Sequence, residues 1–430
     1  MRKLLVLGAG TAGTMVVNKL SHHLDGEEWD ITIVDQDETH YYQPGFLFIP
    51  FGIYGRNDVI KAKRDFMPAG VKMITSAIEI VEPENNRVKI VEGDRWLDYD
   101  YLVIATGTHP RLEETPGLQN EDGTMPDNVH TFYTLEGACR LQKYLRSWEG
   151  GKMVMNIMEM PFKCPVAPLE FTFLADWWFS EQGMRDRVEI EYVTPLPGAF
   201  TKPVASRALG GMLDERKVSL VADFMVERVD AENNKLVAFD EEEVEYDLLV
   251  TVPVNMGADF VGRSGLGDEL NHVPVDKGNF LSTHYDNIFA LGDASNIPTS
   301  KAGSVAHFAV DIWTENFLRY IDGLEMVEEF DGHANCFIES GDGKALLIDF
   351  NYYVEPLPGH YPLPGVGPFT LLSESRRNHW GKLAFRWAYW NTLLPARPMP
   401  VSNRMSMVGK RSVKLEDQKK PIEDSKRQAA

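Results

Sequence analysis

"KLLVLGAGTAGTMVVNKL" (Lys3–Leu20) joins an apolar run to a glycine-rich turn and then to a run with helical spacing. It reads as a buried strand, a tight turn and a helix. The segment "WDITIVDQDETH" (Trp29–His40) follows as a second strand that reaches the acidic Asp35. In this pattern Gly8 permits the tight turn, Gly10 lets the backbone approach a pyrophosphate, and Gly13 allows close helix–strand packing. The helix N-terminus then faces the phosphates, and Asp35 takes the ribose hydroxyls. A glycine motif alone is weak. A preceding strand, a following helix and an acidic strand end about 20 residues on make it specific.

The same architecture is predicted to occur twice. "IEIVEPENNRVKIVEGDRWLDYDYLVIATG" (Ile78–Gly107) and "VERVDAENNKLVAFDEEEVEYDLLVTVP" (Val226–Pro253) both read as a hairpin followed by a buried strand. Both carry Glu-Asn-Asn at the turn and Tyr-Asp before the apolar strand, offset by about 148 residues. Such self-similarity implies two copies of one supersecondary plan. The acidic run Asp240–Glu243 falls in the second hairpin and reads as a solvated edge. Applied to Gly8, the offset reaches "NIMEMPFK" (Asn156–Lys163), which holds no glycine. A dinucleotide phosphate cannot approach such a backbone closely, so the second copy is expected to keep the fold without a nucleotide site. Cys164 lies just beyond the lost fingerprint, where a nicotinamide would otherwise meet a flavin.

The expected fold class is therefore α/β, with two Rossmann-like dinucleotide-binding domains and a C-terminal membrane-docking region. Residues 1–110 and 255–330 form the first domain, 111–254 the second, 331–411 the C-terminal region and 412–430 a polar tail. A chain of 430 residues with 43% hydrophobic content can bury a core of that size. The net charge of −21 argues against a general nucleic-acid binder. No long uncharged apolar window reads as a spanning helix. The first strand starts almost at Met1, from which no signal peptide is expected. Three cysteines are too few for a secreted disulfide scaffold, so a reduced compartment is expected.

Further stretches carry a family resemblance. "YDYLVIATG" (Tyr99–Gly107), with Thr106 and Gly107, resembles the second flavin motif of two-dinucleotide-binding-domain flavoproteins. "NIFALGDAS" (Asn287–Ser295), with Gly292 and Asp293, resembles their third. "THYYQPGF" (Thr39–Phe46), "FKCPVAP" (Phe162–Pro168), "PTSKAG" (Pro298–Gly303) and "ANCFIES" (Ala334–Ser340) are more selective. Together they resemble sulfide:quinone oxidoreductases of the disulfide reductase superfamily, from Met1 to about Met399. The resemblance implies FAD, with Asp293 at its ribityl chain, sulfide and a membrane quinone as partners, and often a homo-oligomer. It also implies a Cys164–Cys336 pair, with Cys336 on the flavin side and Cys164 as the sulfur carrier. Hydrosulfide attack on their bridge would give a persulfide and a thiolate. Glu170 matches an acidic residue of the family and is placed to exchange protons with thiol or hydrosulfide. The third cysteine of the family would fall near Tyr133, not at Cys139, so the FAD is expected to be non-covalent and Cys139 structural. Lys301 and a helix starting near Ala302 would stabilise negative charge on reduced flavin. His307 and His333 stand alone, and no metal is expected.

Electrons need an exit. Ser373–Arg411 carries eight Lys/Arg and one acid, in a chain that is otherwise strongly acidic. Trp380, Leu383, Trp387, Trp390 and Leu394 recur at helical steps, with Lys382 and Arg386 offset from them. A basic, aromatic, amphipathic helix predicts a peripheral, monotopic protein on a cytoplasmic or inner membrane, docked through Trp380, Trp387 and Trp390. "FNYYVEPLPGHYPLPGVGPF" (Phe350–Phe369) is the candidate quinone slot, with Phe350, Tyr352 and Tyr353 as its aromatic contacts. Two alternatives remain at this stage. A type II NADH:quinone dehydrogenase predicts a second glycine fingerprint. The flavin subunit of a flavocytochrome c sulfide dehydrogenase predicts an export signal and a weak tail.

Overall fold

The computed structural model describes residues 1–412 apart from 328, 364–366 and 400. The opening stretch folds as the strand Arg2–Leu7, a turn and the helix Thr11–Leu20. The strand is the centre of a five-stranded sheet in the order Ile288–Ala290, Tyr101–Ile104, Arg2–Leu7, Trp29–Asp35, Lys72–Thr75. All its pairings are parallel. Leu4 to Leu7 are buried, as a strand covered on both faces requires.

The three glycines differ in what surrounds them. Gly8 has φ +97°, and a Cβ there would lie 2.6 Å from the Ala105 carbonyl oxygen. A Cβ on Gly13 would lie 1.9 Å from the Gly8 carbonyl oxygen, so helix and turn touch backbone to backbone. A Cβ on Gly10 would meet nothing within 4 Å, because this residue faces open space.

A second five-stranded parallel sheet runs Val129–His130, Leu248–Val252, Gly151–Ile157, Val188–Val193, Val218–Val221. Each parallel sheet is accompanied by a three-stranded antiparallel one: Ile78–Glu82, Arg87–Ile90 and Arg95–Asp98 in the first case, Val226–Asp230, Lys235–Ala238 and Glu243–Glu245 in the second. An antiparallel pairing of His109–Arg111 with Val254–Met256 links the two units. Just before the turn that replaces the first unit's glycine turn, the central strand of the second holds Asn156, fully buried and accepting from Thr251 Oγ1 at 3.0 Å. The strand end is thereby closed by side chains.

The C-terminal part is a four-stranded sheet (Ala334–Gly341, Lys344–Phe350, Phe369–Leu371, Gly359–Tyr361) and the helix Arg376–Ala388. Ser375 caps that helix by accepting from the Asn378 N–H. A buried cluster, in which His333 Nε2 lies 2.7 Å from Asp349 Oδ1 and Lys410 pairs with the other carboxylate oxygen, fastens the last described residues to this sheet. The expected polar tail lies, beyond Ser412, outside the described residues.

The tryptophan stripe is corrected here. Trp380 and Trp387 are each 67% exposed, but Trp390 is buried, stacked on Phe66 at 5.4 Å, and Leu394 is fully buried. The cause is a widening of the helix over Tyr389–Leu393, where the Leu394 N–H reaches back to the Tyr389 carbonyl. The wider turn rotates the later residues into the protein body. Lys382, expected to be offset from that stripe, is itself buried.

Gly13→Ala is expected to lose about 1–3 kcal/mol of stability through backbone overlap. Gly10→Ala, whose methyl meets open space, should lose clearly less. Urea denaturation of the two variants checks the difference.

Candidate active site

The lost fingerprint is replaced by a loop that crosses to the first unit. After Ile157 the chain turns through Met160–Pro161, and Lys163 forms a parallel bridge with Lys301. The Cys164 N–H donates to the Lys301 carbonyl at 2.7 Å. Cys164 itself has φ +55°, a left-handed conformation that costs a non-glycine residue about 1–2 kcal/mol. The helix Ala167–Glu181 starts directly afterwards, with Pro168 in its first turn. This helix packs against the strand Ala334–Gly341, which carries Cys336 opposite Ile348.

One cavity results. Its walls bring together Gly10, Thr106, Gly107, Gly292, Asp293 and Lys301 from the first unit with Cys164, Cys336 and Glu170. Both cysteines are free thiols. Tyr133, also in the wall, donates its hydroxyl to the Cys164 carbonyl at 3.4 Å. Cys139 is away on another helix, Leu135–Leu145. Asp35 is not part of the cavity wall; its carboxylate accepts the Ala9 N–H at 2.6 Å and pairs with Lys63 at 2.6 Å. Lys301 spends its ammonium on the carbonyls of Asp293 and Ser295, both at 2.9 Å, just before the helix Gly303–Ile321.

Phe350, Tyr352 and Tyr353 are not in this cavity. Phe350 is buried elsewhere, with Lys202 Nζ 5.7 Å from its ring centre. Tyr352 donates to the Lys277 carbonyl at 3.1 Å, and Tyr353 is 75% exposed. Backbone bonding of Tyr352 to Asp331 turns this segment away from the site. The aromatic residues that do line the cavity include Tyr42, Phe46, Phe337, Phe385 and Tyr389.

Sequence reading missed the ionic floor of the cavity. Lys382, from the C-terminal helix, pairs with Glu170 at 2.7 Å and donates to the Phe337 carbonyl at 3.0 Å. Glu170 also accepts the Glu339 N–H at 2.8 Å. Lys163 was passed over too; it is half-buried in the wall and donates to the Thr108 carbonyl at 3.0 Å. No local signal marks these residues, because each partner is distant in the chain.

The electrostatics follow from burial. It pushes the Cys164 thiol up to about 12, with Glu170 adding to the rise and Lys382 opposing it. Cys336 is raised too, by burial and then by Cys164. Glu170 is raised by burial against the pull of Lys382. Burial pushes Lys163 down to about 8, against Asp293. Both cysteines are thus protonated when reduced, and a thiolate formed here has Lys382 as its nearby countercharge.

The residues fit a bound dinucleotide. Gly10 leaves open space before the helix N-terminus, and Thr106 Oγ1 is buried, without a partner, in the cavity wall. Asp293 sits there with its carboxyl raised by burial.

Residues 2–149 match the family described as pyridine nucleotide-disulphide oxidoreductase. The chain is 29% identical over 405 residues to the mitochondrial sulfide:quinone oxidoreductase of Dictyostelium discoideum, covering 92% of this chain and 86% of that one. The solved sulfide:quinone oxidoreductase of Aquifex aeolicus superposes with a TM-score of 0.75 at 20% identity, covering 91% of this chain and 92% of that one. Along most of its length the chain is thus similar to sulfide:quinone oxidoreductases. A type II NADH:quinone oxidoreductase of Staphylococcus aureus is 24% identical over 379 residues, 81% of this chain and 90% of that one.

Lys382→Met leaves Glu170 as an unpaired buried charge and is expected to cost about 3–5 kcal/mol. Adding Glu170→Gln should restore much of that loss in urea melts. Removing the cation also raises the Cys164 thiol further, so alkylation by iodoacetamide should need higher pH in Lys382→Met than in the parent.

Proposed function

We propose that the protein is an FAD-dependent sulfide:quinone oxidoreductase. The observation that carries this reading is the shared cavity: Cys164 and Cys336 meet the flavin motifs where a second nucleotide fingerprint is missing. When bound, FAD takes an electron pair from the sulfur centre and passes it to a quinone.

The chain's own residues supply the sulfur chemistry. Hydrosulfide attacks one sulfur of a Cys164–Cys336 bridge, and the S–S bond breaks. Cys164 is left as a persulfide and Cys336 as a thiolate. Lys382 offsets the thiolate charge, and Glu170 takes the persulfide proton. Joining persulfide and thiolate into a bridge longer by one sulfur releases two electrons. Further hydrosulfides lengthen the chain on Cys164 in the same way, and attack of the Cys336 thiolate on Cys164 Sγ then re-forms the bridge and expels the outer sulfurs as polysulfide.

For the acceptor, the reading moves from Phe350, Tyr352 and Tyr353 to the apolar end of the cavity. Phe337 and Phe385 stand there on elements that also carry Cys336 and Lys382. A quinone ring between such aromatic side chains lies next to the site and is reached from the C-terminal helix. Trp380 and Trp387 are exposed one heptad apart on that helix, beside exposed Arg376 and Arg377. Such a face suits a membrane interface with anionic lipid. Among the described residues, no helix is long and apolar enough to cross a membrane.

Anaerobic sulfide should bleach the flavin absorbance of the purified holoprotein, and NADH should not. Cys164→Ser and Cys336→Ser should each abolish the bleaching; bleaching that persists in both refutes the cysteine mechanism. Replacing Trp380 and Trp387 together by Ser should release the protein from liposomes in flotation assays while sulfide still bleaches the flavin.

A further inference from the structure

Converting a quinone to its quinol takes two electrons and two protons. Hydrosulfide brings both electrons and one proton, so the second proton has to come from water. The cavity around the cysteines and Phe337 is apolar on most sides, and a defined route is needed.

A line of buried titratable groups leads out of it. Glu170 and Lys382 are in the cavity wall, paired at 2.7 Å. Behind them lies Glu339, whose backbone N–H bonds the Glu170 carboxylate and whose side chain is 3% exposed. Glu339 Oε1 is 2.7 Å from His379 Nδ1. His379 is partly exposed and precedes Trp380 at the surface of the C-terminal helix. One oxygen of each carboxylate, Glu170 Oε2 and Glu339 Oε2, is buried with no hydrogen-bond partner. Two bare carboxylate oxygens in one buried cluster are costly for stability alone and suit groups that take up and release protons.

We propose that His379, Glu339 and the Glu170–Lys382 pair form a proton relay from the solvent beside the membrane-facing helix to the quinone end of the cavity. The proposal rests on the activity read above. His379 collects a proton from water, Glu339 stores it, and Glu170 or Lys382 delivers it to the quinone oxygen as the electrons arrive. His379 and Glu339 are positioning residues for that transfer. The groups facing Glu339 are Glu170 from the cysteine helix, Lys382 and His379 from the C-terminal helix, and, at longer range, the Tyr54 phenol. Arg216 bonds the neighbouring Ser340 carbonyl but spends its charge on Glu374. Burial, and then Glu170, push the Glu339 carboxyl up to about 8, so it holds its proton at neutral pH. Burial lowers His379, which therefore gives up a proton readily.

The test loads electrons photochemically into the holoprotein and follows flavin reoxidation by a short-chain benzoquinone in stopped flow. Glu339→Gln keeps the side-chain shape and should slow reoxidation by roughly a hundredfold. It should also remove the fall in rate seen in the parent as pH rises through the Glu339 range. His379→Ala should slow reoxidation too, and imidazole in the buffer should restore it. An unchanged rate and pH profile in Glu339→Gln, or no response of His379→Ala to imidazole, overturns the relay. Because sulfide plays no part in this assay, a parent protein that ignores sulfide counts against the proposed activity and not against the relay.

Discussion

The Glu170–Lys382 ion pair is the constraint on which the site depends. It joins a helix of the second Rossmann-like unit to the C-terminal helix at the floor of the cavity. Burying two charges costs several kcal/mol for each ion unless they are paired and hydrogen-bonded. The Glu339 N–H on Glu170 and the Phe337 carbonyl on Lys382 supply those additional bonds. The strand that provides both is the one carrying Cys336. Satisfying the pair therefore fixes Cys336, the Cys164 helix and the aromatic end of the cavity in one arrangement. The same cation moderates the rise that burial imposes on both thiols.

The second unit keeps the fold of the first while losing its glycine turn. Its parallel sheet and antiparallel companion repeat those of the first unit. The difference lies in the turn after the central strand. In place of backbone open to a phosphate, a strand end closed by Asn156 on Thr251 leads into a loop that bonds to Lys301. Backbone bonding at Cys164 and the Lys163–Lys301 bridge bring that loop against the first unit.

The first strand, turn and helix were legible because their signal is local: apolar run, glycine spacing and acidic strand end lie within 35 residues. The second unit was legible through chain-internal repetition, and the cysteine loop through the glycines it lacks. The ionic floor was not legible. Glu170 and Lys382 are 212 positions apart in the chain, and nothing near Lys382 tells a buried cation from a solvated one. Helical spacing put Trp390 on the same stripe as Trp380 and Trp387, since a regular helix was assumed; one widened turn moved it inside. Aromatic richness pointed to Tyr352 and Tyr353, but composition does not say which way a segment faces.

That widened turn has another effect. It carries Tyr389, whose hydroxyl lies 2.7 Å from both Thr11 Oγ1 and His40 Nε2. Thr11 opens the helix of the first glycine fingerprint, so segments 378 positions apart in the chain close over one another at the dinucleotide cradle. Burial holds His40 down to about 3, so this junction keeps the same charge throughout the physiological pH range. The cradle is therefore complete only when Tyr389 has docked on Thr11. Loss of the Tyr389 hydroxyl would loosen that closure at a distance from every glycine of the fingerprint.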